Sequence, residues 1–173
     1  YLFVGEKGTC TKECATWLIG QVINKGLKAE SEEAISNLRR LEEGTYADCI
    51  VLDGISKSIK KEEILTVQEK FSKTALEKSG WKAYILDGVD NATTEACNSL
   101  LKFLEEPQPD TLAILITDKQ DRVLPTLVSR CQTLTFRTQP FDRCYEECLS
   151  EGIDETDSYF LAHLVHNSKM ALR

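Results

Sequence analysis

Short apolar runs alternate with longer amphipathic stretches over the first 136 residues of the chain. The runs are four or five residues long. The first four are almost wholly apolar, which is typical of strands covered on both faces of a sheet, and the fifth is Thr-Leu-Thr-Phe. They predict five strands, at residues 1–4, 49–52, 83–86, 112–116 and 133–136.

The stretches between these runs carry apolar residues at three- and four-residue spacing, as on one face of a helix. They predict helices after the glycine-rich turn at Gly5, over residues 30–43, over residues 58–78, from Asn91 or Thr93 to Pro107, and as a short turn at residues 125–129. The helix over residues 58–78 is predicted to direct one stripe at the core: Ile64, Leu65, Phe71, Ala75 and Leu76. Strands that alternate with helices predict a doubly wound parallel α/β sheet, whose ligands lie at the carboxyl ends of the strands.

The chain changes character near Gln139 and Pro140. Only helical patterns follow, at residues 141–149 and 156–165. This predicts a boundary between an α/β domain over residues 1–139 and the beginning of a helical domain over residues 140–173. Because the sequence begins within a predicted strand, we expect it to be cropped at both ends.

Composition excludes several functional classes. The 173 residues are 42% hydrophobic, but the longest apolar runs are far shorter than the ~18 residues that a membrane-spanning helix needs. The net charge of −7 argues against a chain whose main work is to neutralise nucleic-acid phosphates, though not against a subunit of a DNA-handling assembly. Seven cysteines, an odd number without Cys-x-x-Cys spacing, predict reduced thiols of a cytoplasmic protein and no metal site.

The turn at residues 5–12 occupies the place of a phosphate-binding loop, between the first strand and the first helix. A working loop reads glycine, four residues, glycine, lysine, and serine or threonine. Its backbone N–H groups approach the phosphates, its lysine meets the outer phosphates, and its hydroxyl holds Mg²⁺. Counted from Gly5, the last three of these positions hold Cys10, Thr11 and Lys12. All three substitutions oppose the binding of Mg²⁺ and nucleotide.

Two alternatives stay open for this turn. If Lys12 serves as the phosphate lysine, the loop is one residue too long and Glu13 replaces the hydroxyl. The turn is then a degenerate nucleotide site with Gly5, Gly8 and Lys12 as its candidate residues. Otherwise it is a tight connection from strand to helix that needs glycine only for its shape.

The third predicted strand ends at Asp87, which is a candidate for the second half of a nucleotide site. In an ATPase of this type the strand ends in Asp-Glu, where the Asp holds Mg²⁺ and the Glu polarises the attacking water. Here Gly88 stands in place of the Glu. Asp90 either substitutes for that base or caps the helix that follows.

Two segments carry a resemblance to a known family. Residues 98–107 read N-S-L-L-K-F-L-E-E-P, and residues 124–132 read L-P-T-L-V-S-R-C-Q. They resemble the Asn-x-Leu-Leu-Lys-x-Leu-Glu-Glu-Pro helix and the Ser-Arg-Cys motif of the bacterial DNA polymerase III clamp-loader subunits, which are AAA+ proteins. The resemblance extends from residue 1 to about residue 136 and is weaker beyond. Within the family, the loss of both nucleotide motifs is similar to a non-hydrolysing subunit rather than to the gamma and tau ATPases.

This resemblance implies an architecture and a set of partners. The fold would be a P-loop NTPase-like (AAA+) parallel sheet flanked by helices and followed by a small all-helical lid domain, with a collar domain beyond Arg173. Arg130, flanked by Ser129 and Cys131, would reach into the ATP site of a neighbouring subunit as an arginine finger. The partners would be gamma/tau and delta subunits in a hetero-pentamer, with indirect contact to the sliding clamp and primer-template DNA.

Other positions of the family motifs are matched only in part by this sequence. Thr117 stands where the first sensor residue would touch a γ-phosphate, although a hydroxyl at a strand end has the same place. Met170 stands where the second sensor arginine is normal, with Lys169 beside it. A four-cysteine zinc module common in relatives is replaced by the cysteine-free segment 30–43, so zinc is not expected.

The sequence therefore favours a non-catalytic, stator-like clamp-loader subunit that takes part in DNA replication and helps load the sliding clamp. No cofactor is expected, and binding of ATP with Mg²⁺ is the less favoured alternative. The first alternative is an active or nucleotide-binding ATPase subunit of the gamma/tau type that uses Lys12 and Asp87. The second is a free-standing α/β protein that binds another nucleotide.

Overall fold

A computed structural model describes residues 1–6 and 9–164 of the chain. Strands and helices alternate as the sequence predicts. The strands are β1 (Leu2–Gly5), β2 (Cys49–Asp53), β3 (Lys82–Asp87), β4 (Thr111–Thr117) and β5 (Thr133–Phe136). The helices are α1 (Thr11–Ile23), α2 (Glu32–Glu42), α3 (Lys61–Phe71), α4 (Thr94–Glu105), α5 (Pro125–Val128), α6 (Phe141–Ser150) and α7 (Glu155–Leu164). Short 3₁₀ turns span Val89–Asn91 and Gln120–Arg122.

The five strands form one parallel sheet in the order β2-β3-β4-β1-β5. All six residues of β3 are buried, because helices cover both faces of the sheet. Alternate side chains of β3 enter two separate cores. Tyr84 and Leu86 pack with α3 and α4, whereas Ala83 and Ile85 pack with α1 and α2. The prediction of a doubly wound parallel sheet is confirmed.

The register of the strands determines where a ligand site can form on the sheet. Asp53 lies opposite Asp87, and Val4 lies opposite Thr117. Because all strands are parallel and end at nearly the same level, their carboxyl ends form one continuous edge. Helix α1 begins at this edge, immediately after the turn that follows β1.

The prediction of one long helix over residues 58–78 is wrong in its second half, because α3 ends at Phe71. Nζ of the buried Lys82 donates to the carbonyl oxygens of Phe71, at 2.6 Å, and of Lys73. These bonds fix the C-terminal end of α3. The Asp48 carboxylate then accepts the backbone N–H groups of residues 76 and 77. Long-range partners thus replace the next helical turn.

The predicted apolar stripe of this helix changes accordingly. Ile64, Val67 and Phe71 are the buried residues of α3. Leu65 is exposed, and Leu76 retains 81% of its possible exposure. The amphipathic spacing therefore predicts the core face only as far as the helix continues.

Two helices follow the sheet. Helices α6 and α7 pack against each other, with Cys144, Cys148 and Ala162 completely buried between them. This agrees with a helical domain after the sheet, and the boundary at residues 139 and 140 stays a prediction. Residues 165–173, which include Lys169 and Met170, lie outside the described residues. None of the helices within the described ranges is long and apolar enough to cross a membrane.

A forked ion pair joins α2 to the segment after α3. Arg40 donates through Nη1 to Oε2 of Glu77 at 3.0 Å and through Nη2 to Oε1. The backbone N–H of Ala47 also donates to Oε1, at 3.1 Å. Hydrogen bonds from Arg40 and Ala47 hold the pKa of the Glu77 carboxyl below its ordinary value, despite partial burial.

We expect Glu77→Gln to lower the free energy of unfolding by about 1 kcal/mol at pH 7, because the fork loses its charge and one acceptor. A lowered folded-state pKa means that the carboxylate stabilises the fold above the ordinary Glu value and loses this effect as the pH falls. The difference between variant and parent should therefore shrink toward pH ~3.5. Urea unfolding at both pH values measures it. An undiminished difference at the lower pH would contradict the assignment.

Candidate functional site

A cavity of about 330 Å³ opens at the carboxyl edge of the sheet, where the sequence predicts a ligand. It lies between the ends of β1, β2, β3 and β4 and the start of α1. The lining includes four of the predicted or considered positions, Gly5, Asp87, Asp90 and Thr117. The remaining lining residues are Glu6, Thr9, Thr11, Gly54, Ile55, Gly88, Asn91, Ile116, Asp118, Lys119 and Arg122.

Gly5 makes the turn into α1 sterically possible. A Cβ at this position would lie 2.3 Å from Oγ1 of Thr9 and 2.7 Å from Cγ2 of Thr11. The Thr9 hydroxyl meanwhile donates to the carbonyl oxygen of Glu6, at 2.7 Å, so local bonds close the turn. Gly8 lies outside the described residues. A larger residue at position 5 would therefore have to displace these two threonine side chains, whatever the turn binds.

Lys12 and Asp87 form an ion pair at the edge of this cavity. Nζ of Lys12 lies 3.1 Å from Oδ2 of Asp87, whose side chain is only 8% exposed, whereas that of Lys12 is 55% exposed. The carboxylate has no other ion pair or hydrogen bond among residues 1–6 and 9–164. A buried carboxylate of β3 is therefore neutralised by a lysine from the first turn of α1.

Asp53, at the end of the neighbouring strand β2, has its own partners. The Ser56 hydroxyl, then the backbone N–H groups of Ser56 and Ile55, lower the pKa of its carboxyl, and the Lys12 charge adds a smaller effect. The ammonium of Lys12 therefore acts on two neighbouring strand ends. It lies on the same edge where a nucleotide-binding protein of this fold holds its metal ion.

The fit of these residues to Mg²⁺ and a nucleotide can be tested by their chemistry. Lys12 holds the position that needs a hydroxyl ligand, and its ammonium already contacts the carboxylate that would face the metal. Among the described lining residues, four are acidic and two, Lys119 and Arg122, are basic, and Lys12 offsets the charge of one of the acids, Asp87. Such a surface repels a polyphosphate more than it attracts one. This donor set does not fit magnesium nucleotide.

Thr117 is buried, and neighbouring groups use its hydroxyl. Oγ1 donates to Oδ1 of Asp90 at 2.7 Å and accepts the backbone N–H of Lys119 at 2.9 Å. Asp90 is therefore not the cap of α4, which is one of the two roles considered for it. That role belongs to Thr93, whose Oγ1 accepts the N–H of Ala96.

Gly88 lacks the carboxylate of the expected glutamate, and its conformation also excludes a larger side chain. Its φ of 76° is left-handed, and a Cβ there would lie 2.9 Å from the carbonyl carbon of Gly54. A glutamate at this position, as an ATPase requires, would be strained and would meet the backbone that follows β2. Gly54 is a residue of this site that the sequence did not predict. The shared Leu-Asp-Gly ending of β2 and β3 is the signal that could have found it.

Arg130 lies at a separate place, outside the lining of this cavity. It follows the short helix α5, and its side chain is 36% exposed. Nε donates to Oε1 of Glu105 at 2.8 Å, Nη2 contacts the same oxygen, and Nη1 donates to the carbonyl oxygen of Thr126 at 3.0 Å.

The two residues that flank Arg130 fix its backbone. Ser129 donates through Oγ to the same carbonyl of Thr126, at 3.1 Å. Cys131 is half-buried and packs against the core of α3 and α4, and this burial raises the pKa of its thiol. The sequence-predicted residues thus fall into two groups, one around the cavity and one at the end of α5.

The described residues form no metal site beside these two groups. Among the residues that the structure describes, no three His, Cys, Asp or Glu side chains are arranged to hold a metal ion. All seven cysteines are free thiols, and burial raises the pKa of Cys49 to about 11, so that thiol stays protonated at neutral pH.

With the geometry known, comparison with other proteins identifies the class. The fold is that of a gamma subunit-related DNA polymerase III protein of Thermotoga maritima, which superposes with a TM-score of 0.71 at 23% identity, over 99% of this chain and 50% of that one. Residues 1–140 match the family described as DNA polymerase III, delta subunit, and the chain belongs to this family.

Two curated relatives refine the comparison. The chain is 40% identical over 167 residues to DNA polymerase III subunit delta' of Bacillus subtilis (strain 168), which covers 96% of the chain and 50% of that protein. It is 31% identical over 139 residues to subunit tau of the same organism, which covers 79% of the chain and 24% of that protein. The chain thus spans half or less of each relative. The resemblance to clamp-loader subunits is confirmed. The loss of both nucleotide motifs predicts the delta-prime type within that family, and this prediction is confirmed as well.

We expect Lys12→Met to lower the free energy of unfolding by about 1–2 kcal/mol, because it leaves the buried Asp87 carboxylate without a partner. Lys28→Met removes an exposed lysine with no ion pair among the described residues and is the matched control. Urea unfolding of both variants measures the difference. Adding Asp87→Asn to Lys12→Met should recover part of the loss. Equal effects of the two lysine variants would contradict the ion pair's role.

Proposed function

We propose that this chain is the AAA+ part of a DNA polymerase III clamp-loader subunit that does not hydrolyse ATP itself. The observation that carries this proposal is the ion pair between Lys12 and Asp87. It joins the two positions that would hold Mg²⁺ in an active relative, and it neutralises both. Gly88 adds a second, independent obstacle, because its conformation disfavours the glutamate that would activate water.

We further propose that the subunit acts on a neighbour through Arg130. The guanidinium is exposed at the end of α5, outside its own chain's cavity, with N–H groups left to bind a partner's phosphate. A planar, permanently charged fork is suited to the charge that develops on a transferring phosphoryl group. Arginine fingers of this kind raise hydrolysis rates by about 10³- to 10⁵-fold where they operate in trans.

The proposed partners follow from the family and its members. They are gamma/tau and delta subunits in a hetero-pentamer in the cytoplasm, with the sliding clamp and primer-template DNA contacted indirectly. The net charge of −7 suits a subunit that works through protein neighbours rather than by enclosing DNA alone. In this arrangement the rigid sheet serves as a stator-like wall, and ATP turnover takes place on the neighbours.

The alternative of an active ATPase of the gamma/tau type is not favoured. It would require Lys12 to leave Asp87 and turn toward the phosphates, and Thr117 to exchange its bond with Asp90 for one to the γ-phosphate. The first exchange leaves the buried carboxylate of Asp87, and the second the half-buried carboxylate of Asp90, with one partner fewer.

Titration of fluorescent ATP with Mg²⁺ against the chain tests the non-hydrolysing role. We expect no turnover and no binding at micromolar concentration, because the cavity offers neither a free metal position nor a net positive charge. A clamp-loader gamma subunit prepared in the same way is the positive control. Micromolar binding accompanied by hydrolysis would reject the proposal.

Arg130→Ala in the reconstituted clamp loader tests the role in trans. We expect the DNA-stimulated ATPase rate to fall by at least about 100-fold at the neighbouring site, with assembly intact. Arg39→Ala removes a more exposed arginine, 76% against 36%, that is likewise paired with a glutamate, Glu43, and is the control. An unchanged rate with Arg130→Ala would rule out the finger assignment.

A further inference from the structure

The carboxylate of Glu105 holds the guanidinium of Arg130 in one orientation. We propose that Glu105 is a positioning residue for the phosphoryl transfer that Arg130 assists in the neighbouring subunit. This inference rests on the proposed function of Arg130, and it adds a second residue, from a different helix, to that function.

The contact uses one edge of the guanidinium fork and leaves another open. Oε1 of Glu105 accepts Nε at 2.8 Å and also contacts Nη2, while Nη1 donates to the carbonyl oxygen of Thr126 at 3.0 Å. A guanidinium carries five N–H donors. Three are therefore engaged within the chain, and the remaining two, on Nη1 and Nη2, are available to an external oxyanion.

The backbone that carries Arg130 is already rigid, so the side chain is the part that needs fixing. The N–H of Arg130 donates to the carbonyl of Leu127 at 3.1 Å, and the N–H of Cys131 donates to the carbonyl of Val128 at 3.1 Å. Leu127 is 1% exposed, and Cys131 packs against the same core. Between these anchors, the rotatable bonds of Arg130 are the remaining freedom.

Glu105 removes much of that freedom before a partner arrives. A free arginine loses a large rotamer entropy when its fork is fixed on a ligand. An arginine already held by a carboxylate loses less of it in the transition state, and its fork points in a constant direction. An exposed ion pair adds little to fold stability. The main effect of this pair is therefore on the orientation of the Arg130 guanidinium.

The contact also joins the two segments that carry the family resemblance. Glu105 belongs to the segment 98–107, at the last residue of α4, and Arg130 belongs to the segment 124–132. The two segments are separated by strand β4 in the chain, and the fold brings them together at this ion pair. Glu106, the next residue, is exposed, and its carboxylate has no hydrogen bond or ion pair within the described ranges.

The test compares Glu105→Gln with Glu106→Gln in the reconstituted clamp loader that contains the whole subunit. We expect Glu105→Gln to lower the kcat of DNA-stimulated ATP hydrolysis by about 3- to 10-fold. We expect Glu106→Gln to leave kcat unchanged. Thermal unfolding of both variants should match the parent, which separates orientation from stability.

A double variant shows whether Glu105 acts through Arg130. In the Arg130→Ala background, Glu105→Gln should cause no further loss of kcat, because the group that it positions is absent. A further loss in that background would overturn the inference, as would an unchanged or raised kcat for Glu105→Gln alone. If Arg130→Ala itself leaves kcat unchanged, the finger role fails and the positioning role fails with it. If only Glu105→Gln is silent, the finger role stands without it.

Discussion

The common register of the parallel strands is the constraint on which the site depends. Because β1, β3 and β4 end at one level, Gly5, Asp87 and Thr117 meet at one edge although they are far apart in the chain. The same register brings α1 to that edge, so that Lys12 reaches Asp87. A parallel sheet covered on both faces thus creates a site at its carboxyl edge whether or not its residues can use a nucleotide.

In this chain several polar groups at that edge are bound to one another. The ammonium of Lys12 satisfies Asp87, Asp90 satisfies Thr117, and the backbones of Gly54 and Gly88 approach too closely to admit a longer side chain. Each bond stabilises the fold and at the same time occupies a group that nucleotide chemistry would need. The proposed consequence is a division of labour, in which the sheet is a rigid support and Arg130 acts on another subunit. The cavity and Arg130 lie on separate surfaces of the sheet domain, as the proposed division requires.

The sequence predicts all five strands, because four of them are almost continuous apolar runs, although only β3 is buried throughout and the edge strands β2 and β5 are partly exposed. It fails after Phe71, where spacing alone predicts more helix but Lys82 and Asp48 bind the backbone from distant parts of the chain. It identifies Lys12 and Asp87 as candidates from motif positions, whereas their pairing depends on the sheet register. It also singles out Arg130 without Glu105, because the partner of an exposed arginine depends on how α4 and α5 pack rather than on either motif.

The central claim is that Lys12 takes the place of the metal ion, so that this domain does not use magnesium nucleotide. A crystal structure of the subunit grown with ATP and Mg²⁺ tests it most directly. The account predicts that Nζ of Lys12 stays within hydrogen-bonding distance of Asp87 and that no Mg²⁺ lies beside that carboxylate. A nucleotide with Mg²⁺ bound next to Asp87, and Lys12 displaced toward the phosphates, would contradict it.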